Sequence, residues 1–301
     1  MRDLRCALPA APPPASMRGM DLPLPATQPA VTLLSPAAQT APVVFASPHS
    51  GRAYSAAFLA RTRLDPLTLR RSEDCFVDEL FAAAPDHGAP LLAATFPRAW
   101  CDANREPWEL DPAMFADRLP PWVNTGSARV AAGLGTIARI VASGEAIYRD
   151  HLRFAEAEAR VRDCWLPFHD TLRALIEATR ARFDRCLLID CHSMPAVQPG
   201  TPPCAGADVV LGDAHGTACG ARTVRLAQET LEQLGYRVRR NEPYAGGYIT
   251  RHYGHPREGV EALQIELCRS LYMDEARLEK RPGFAAVQRD MTRLIASLTA
   301  G

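Results

Sequence analysis

Three short segments, far apart in the chain, carry side chains that bind or serve a divalent metal: Ser47-Pro48-His49-Ser50-Gly51, Ile189-Asp190-Cys191-His192-Ser193 and Gln264-Ile265-Glu266-Leu267. Imidazoles and carboxylates are the donors of an open catalytic zinc site, which takes three ligands from the protein and keeps a position for water. His49 and His192 each follow an apolar, β-branched run that reads as a buried strand. In Asp190-Cys191-His192 the two-residue strand period puts Asp190 and His192 on one side, where Asp190 can orient the ring, and turns Cys191 away as a packed thiol. The third ligand must come from elsewhere. Glu73 and Asp74 are the candidates, and their alternative role is to complement the dipole of a helix capped by Ser72. Glu266 lies in an apolar stretch where an isolated charge is costly, so it is either paired, for instance with Arg269, or a general base. The pattern is that of a metal-dependent amide hydrolase.

These residues need a scaffold, and the hydrophobic pattern supplies one. Residues 42–47, 90–95, 186–191, 208–211 and 260–267 read as short buried strands. Residues 72–84, 129–183 with breaks near Gly144 and Pro167, 217–235 and 273–298 carry helical periodicity. Strands alternating with helices predict an α/β fold of three layers, a mostly parallel or mixed central sheet flanked by helices, with ligand-binding loops gathered at one edge. A Pro/Ala-rich segment over residues 1–40 reads as a disordered arm, leaving 41–301 as a single domain.

Composition narrows the partners. The formal net charge is zero, so no basic field recruits nucleic acid or anionic lipid, and a small substrate is expected. No apolar run approaches the roughly 20 residues that cross a bilayer. Nine cysteines are scattered without a CxxC pair, which predicts reduced thiols and a cytoplasmic protein.

The chain resembles the N-formylglutamate amidohydrolase family and, more distantly, the zinc carboxypeptidase and aspartoacylase group. The resemblance runs from about residue 42 to about 290. It is carried by the three segments above together with Glu73-Asp74-Cys75-Phe76-Val77-Asp78-Glu79-Leu80, Asp102-Ala103-Asn104-Arg105 and the run from Gly246 to Gly254. It implies a zinc-carboxypeptidase-like sheet, one catalytic zinc, and hydrolysis of an N-formyl amide to formate and an amino acid, typically glutamate in histidine breakdown. Position by position, it implies His49 and His192 as metal ligands, Asp74 in preference to Glu73 as the third, and Glu266 as the base that relays a proton to the leaving nitrogen. In the distant relatives an acidic ligand closely follows the first histidine; here Arg52 stands in that place. His215 has no counterpart role.

A dianionic N-acyl amino acid calls for guanidinium groups, whose planar fork matches a carboxylate. Arg105 beside Asn104, and Arg251 beside the Gly246-Gly247 pair, are the expected clamps. Arg98 is a third candidate, for a carboxylate or for the scissile formyl oxygen. Tyr248, Tyr253 and His252 are candidates for hydrogen bonds at the pocket rim, with packing an equal alternative for the two tyrosines. The rival readings are another N-acyl amino acid or small peptide amide as substrate, and a non-catalytic binding protein on the same fold.

Overall fold

The computed structural model describes residues 28–141, 143–196 and 203–300. Seven strands form one sheet: β1 (Val31–Leu34), β2 (Val43–Ser47), β3 (Leu91–Ala94), β4 (Cys186–Met194), β5 (Val209–Gly212), β6 (Val238–Arg240) and β7 (Val260–Cys268). Their spatial order is β1-β3-β2-β4-β7-β5-β6. The central strands β3, β2, β4 and β7 run parallel, while β1 and β5 pair antiparallel to β3 and β7. The sheet is therefore mixed, and β2, β4 and β7 all end at one edge.

Alternation along these strands decides what each face meets. Ile189, Cys191, Leu263 and Ile265 point into a core closed by the helices Ala221–Gln233 and Phe284–Thr299. The latter helix buries Val287, Met291, Leu294, Ile295 and Leu298 at three- and four-residue spacings. Each such burial contributes roughly 1.5–3 kcal/mol. On the opposite face Leu188, Val260 and Ala262 pack under the helix Leu166–Phe183. Farther along that same face the residues change from apolar to polar: Asp190 pairs in register with Gln264, and His192 with Glu266. Parallel register thus sets four polar groups side by side at the strand ends.

Several sequence expectations are corrected. Residues 31–34, inside the expected arm, form edge strand β1; residues 1–27 lie outside the described residues. The helix expected over 72–84 is only Val77–Leu80, because Phe76 adopts a left-handed backbone (φ 66°) and residues 72–76 turn back toward His49. Such a conformation costs a bulky residue on the order of 1–3 kcal/mol. The amide N–H of Asp74 donates to the His49 carbonyl at 3.0 Å, so this turn is anchored on the site it serves. Within 129–183 only Ala128–Ala131 and the stretch from Phe154 are helical. Between them, the chain wraps irregularly over a third apolar cluster that includes Phe58, Leu110, Ile137 and Leu152. Phe284, not Met273, opens the last helix.

The thiols are not all reduced. Cys204 and Cys268 form a disulfide, whereas Cys75, Cys101, Cys164, Cys186, Cys191 and Cys219 are free and buried. A separation of 64 residues hid the pair, which the antiparallel β5–β7 contact brings together. No helix among the described residues is long and apolar enough to cross a membrane.

Candidate metal centre and substrate cavity

His49, Asp74 and His192 converge: their ligand atoms lie within 4.8 Å of one another, and all three side chains are buried. Each imidazole is turned by a carboxylate behind it. His49 Nε2 lies 2.7 Å from Asp102 Oδ1, and His192 Nε2 lies 2.8 Å from Asp190 Oδ1. These contacts assign the ring protons to the Nε2 atoms and leave the Nδ1 lone pairs facing inward. His192 Nδ1 is 3.0 Å and His49 Nδ1 is 3.3 Å from the same Asp74 oxygen, Oδ2. The His49 contact lacks hydrogen-bond geometry, so that buried nitrogen has no partner. Two lone pairs and an anionic oxygen aimed at one point repel one another unless a cation lies among them. The donor set fits zinc.

The other Asp74 oxygen is occupied. Oδ1 accepts from Arg269 Nη2 at 2.9 Å and from Ser193 Oγ at 3.1 Å, which leaves Oδ2 alone to face the imidazoles. Burial opposes ionisation of Asp74, but the hydrogen bond from His192, the nearby His49 ring and the Arg269 charge hold its pKa well below the usual range. Burial likewise opposes a charged His192, yet Asp190 and Asp74 raise its pKa well above the ordinary value, so that without a metal a proton on Nδ1, bonded to Asp74 Oδ2, takes the place of the cation. The raised His192 value reports the negative potential of Asp190, Asp74 and Glu266 at the point of convergence, and the lowered Asp74 value reports the imidazoles and Arg269 around it. Glu73 faces elsewhere, bound to Arg70 at 2.9 and 3.2 Å and to the Cys75 thiol, so between the two sequence candidates only Asp74 reaches the centre.

Glu266 is 6% exposed, and Arg269, offered above as its ion-pair partner, binds Asp74 instead. Its hydrogen-bond partner is Gln264, whose Nε2 donates to Glu266 Oε1 at 2.9 Å. Burial pushes the Glu266 carboxyl up to about 7, against the opposing pull of His192. A carboxyl poised near neutrality beside three converging donors that could hold a metal is suited to accept and return a proton.

His49, Asp74, His192, Glu266, Arg98, Asn104, Arg105 and Arg251 all line one cavity of about 610 Å³. The arginines differ in what remains available. Arg105 donates Nε to the Leu134 carbonyl at 2.8 Å and Nη1 to the Asn104 carbonyl at 2.7 Å, so it is largely built into the wall. Arg98 donates Nε to Asp102 at 2.9 Å and Arg251 donates Nε to the Gly246 carbonyl at 3.2 Å; the terminal nitrogens of both have no partner among the described residues. Asn104 is a strut: its Oδ1 accepts from the Ile249 N–H at 2.8 Å and its Nδ2 donates to Asp190 Oδ2 at 3.4 Å. Gly247 packs so closely on this carboxamide that a Cβ there would overlap it.

Tyr248 and His252, expected at the rim, do not line the cavity. They are four residues apart on the short helix Tyr248–Tyr253, whereas Arg251 on the same helix and Gly247 just before it line the cavity. Tyr248 and His252 stack on each other at 4.7 Å, beside Trp165 and His169. Tyr253 donates its hydroxyl to His169 Nδ1 at 2.9 Å, and exposed His215 is not among the lining residues either. Sequence reasoning missed Arg129 and Arg269 in the lining. Arg129 lies in a region read as plain helix, with no motif to mark it.

A profile of the family described as N-formylglutamate amidohydrolase matches residues 41–273. A curated N-formylglutamate deformylase from Pseudomonas putida is 30% identical over 245 residues, 78% of this chain and 82% of its own length. Another of that name, from Pseudomonas aeruginosa, is 30% identical over 265 residues, 86% of this chain and 93% of its own. The crystal structure of N-formylglutamate amidohydrolase from Ralstonia eutropha superimposes with a TM-score of 0.83 at 37% identity, covering 90% of this chain and 97% of that one. An Agrobacterium tumefaciens structure at 19% identity and a TM-score of 0.55 shares the fold.

Proposed function

The chain belongs to the N-formylglutamate amidohydrolase family, and on that premise we propose that it hydrolyses the formamide bond of N-formyl-L-glutamate to formate and glutamate, as in histidine breakdown. It is a hydrolase acting on an amide. The observation that carries the substrate reading is the convergence of His49, Asp74, His192 and Glu266 in one cavity with unspent arginine nitrogens. Zinc held by His49, Asp74 and His192 would supply Lewis acidity, polarising a carbonyl and making hydroxide accessible near neutral pH.

The chain's own groups do the rest. Asp102 and Asp190 hold the two rings in the tautomer that turns Nδ1 inward. Glu266, through the oxygen that Gln264 leaves open, takes the proton of the attacking water and passes it to the nitrogen as the C–N bond breaks. Arg98, whose burial is offset by the neighbouring Asp102 charge, stays cationic and offers its terminal nitrogens to the developing formyl oxyanion. Arg251, exposed where it meets the cavity, receives the side-chain carboxylate of the substrate. We place the reaction in the cytoplasm, on the free thiols that predominate over the single disulfide among the described residues, and in one domain that β1 extends.

A formate-release assay across N-formylglutamate, N-formyl amino acids with neutral side chains and N-acetylglutamate tests this. N-Formylglutamate is expected to be the preferred substrate; exclusive turnover of an acetyl compound contradicts the reading. A hydrogen bond to a charged group is worth roughly 1.5–3 kcal/mol, so Arg251→Ala should raise KM for N-formylglutamate by about 10- to 100-fold. For a neutral N-formyl amino acid the change should be a few-fold at most. Equal losses for both would remove Arg251 as the side-chain clamp.

A further inference from the structure

Glu266 does not stand alone on β7. Gln264, two residues earlier on the same face, is 3% exposed and uses both ends of its carboxamide. Its Oε1 accepts from the Gly247 N–H at 2.8 Å. Because that backbone group can only donate, the amide cannot be flipped, and Nε2 must face Glu266 Oε1, 2.9 Å away. Gly247 is itself fixed against Asn104, which ties the following helix to Asp190. One side chain therefore links the carboxylate to the turn that precedes Arg251.

We propose that Gln264 is a positioning residue for the hydrolysis, holding Glu266 by Oε1 so that Oε2 alone is presented to the attacking water. The proposal rests on the role given to Glu266 above. Geometry carries it: a carboxylate held by one oxygen has one rotamer and one free basic atom, whereas without the clamp it rotates in the 610 Å³ cavity. Misplacement of a reacting group by about 1 Å can cost on the order of 100-fold in rate.

The test is a double-mutant cycle in the metal-loaded, full-length protein, run on whichever N-acyl substrate the wild type turns over. Failure of this inference is thereby separate from failure of the N-formylglutamate reading. Gln264→Leu should lower kcat by about 10- to 100-fold. Metal content should remain near the wild-type value, while the melting temperature drops by a few degrees as the Gly247 N–H loses its acceptor. In a Glu266→Gln background the same change should alter the residual kcat less than about twofold, because its effect passes through Glu266. Gln264→Met, closer in length and equally unable to donate, repeats the cycle if the leucine variant folds poorly. Wild-type kcat in the folded single variants, or an equal fold-loss in both backgrounds, would overturn the proposal.

Discussion

Glu266→Gln should lower kcat by about 10²- to 10⁴-fold, the range expected when a general acid–base group is removed, while bound metal stays at the wild-type level. The substitution preserves shape and leaves the ring of ligands untouched, since Glu266 faces the centre from β7 while His49, Asp74 and His192 come from other segments. It removes a group whose protonation shapes the pH profile. The base works only when ionised, and burial raises its pKa to about 7, with His192 pulling the other way. A cation at the centre pulls it further down. Wild-type kcat/KM should therefore fall as the pH drops through a limb at or below about 7, and the variant should lose that limb. Near-normal turnover by Glu266→Gln, or an unchanged acid limb, removes Glu266 as the base.

His192→Ala should abolish stable metal binding. It deletes one of three converging donors, and it also strips Asp74 Oδ2 of its closest neighbour and Asp190 Oδ1 of its ring partner. Asp190 is fully buried and retains only longer contacts to Asn104 and Thr250, at 3.4 and 3.3 Å. An under-partnered buried carboxylate costs roughly 1–3 kcal/mol or more, so the variant should melt several degrees lower. A ligand that binds the folded state alone stabilises it by mass action. Zinc should accordingly raise the melting temperature of the wild type and leave that of His192→Ala unchanged. A variant that still takes up stoichiometric zinc shows that His192 is not a ligand.

The parts of the fold legible in the sequence were those written by local pattern. β2, β4 and β7 are short apolar runs ending in polar residues, and they appear within one to three residues of their expected bounds. The pairing of His192 with Glu266 follows from parallel register, which no single segment displays. What failed was set by distant contacts. The turn at 72–76 obeys the His49 carbonyl rather than its own helical spacing, and the irregular stretch before Phe154 is held over Phe58 and Leu110. Of the two roles the sequence leaves open for Tyr248, rim and packing, helical geometry selects packing, turning it and His252 toward Trp165 and His169. Asp102 was visible only as part of a motif; its role emerged when His49 Nε2 was found against it.

The most direct measurement is formate release from N-formyl-L-glutamate by the wild type after exhaustive chelation, and again after one equivalent of zinc is restored. Activity should vanish with the metal and return with it. Full activity in protein shown by elemental analysis to hold no metal would contradict the assignment of His49, Asp74 and His192 as the catalytic centre.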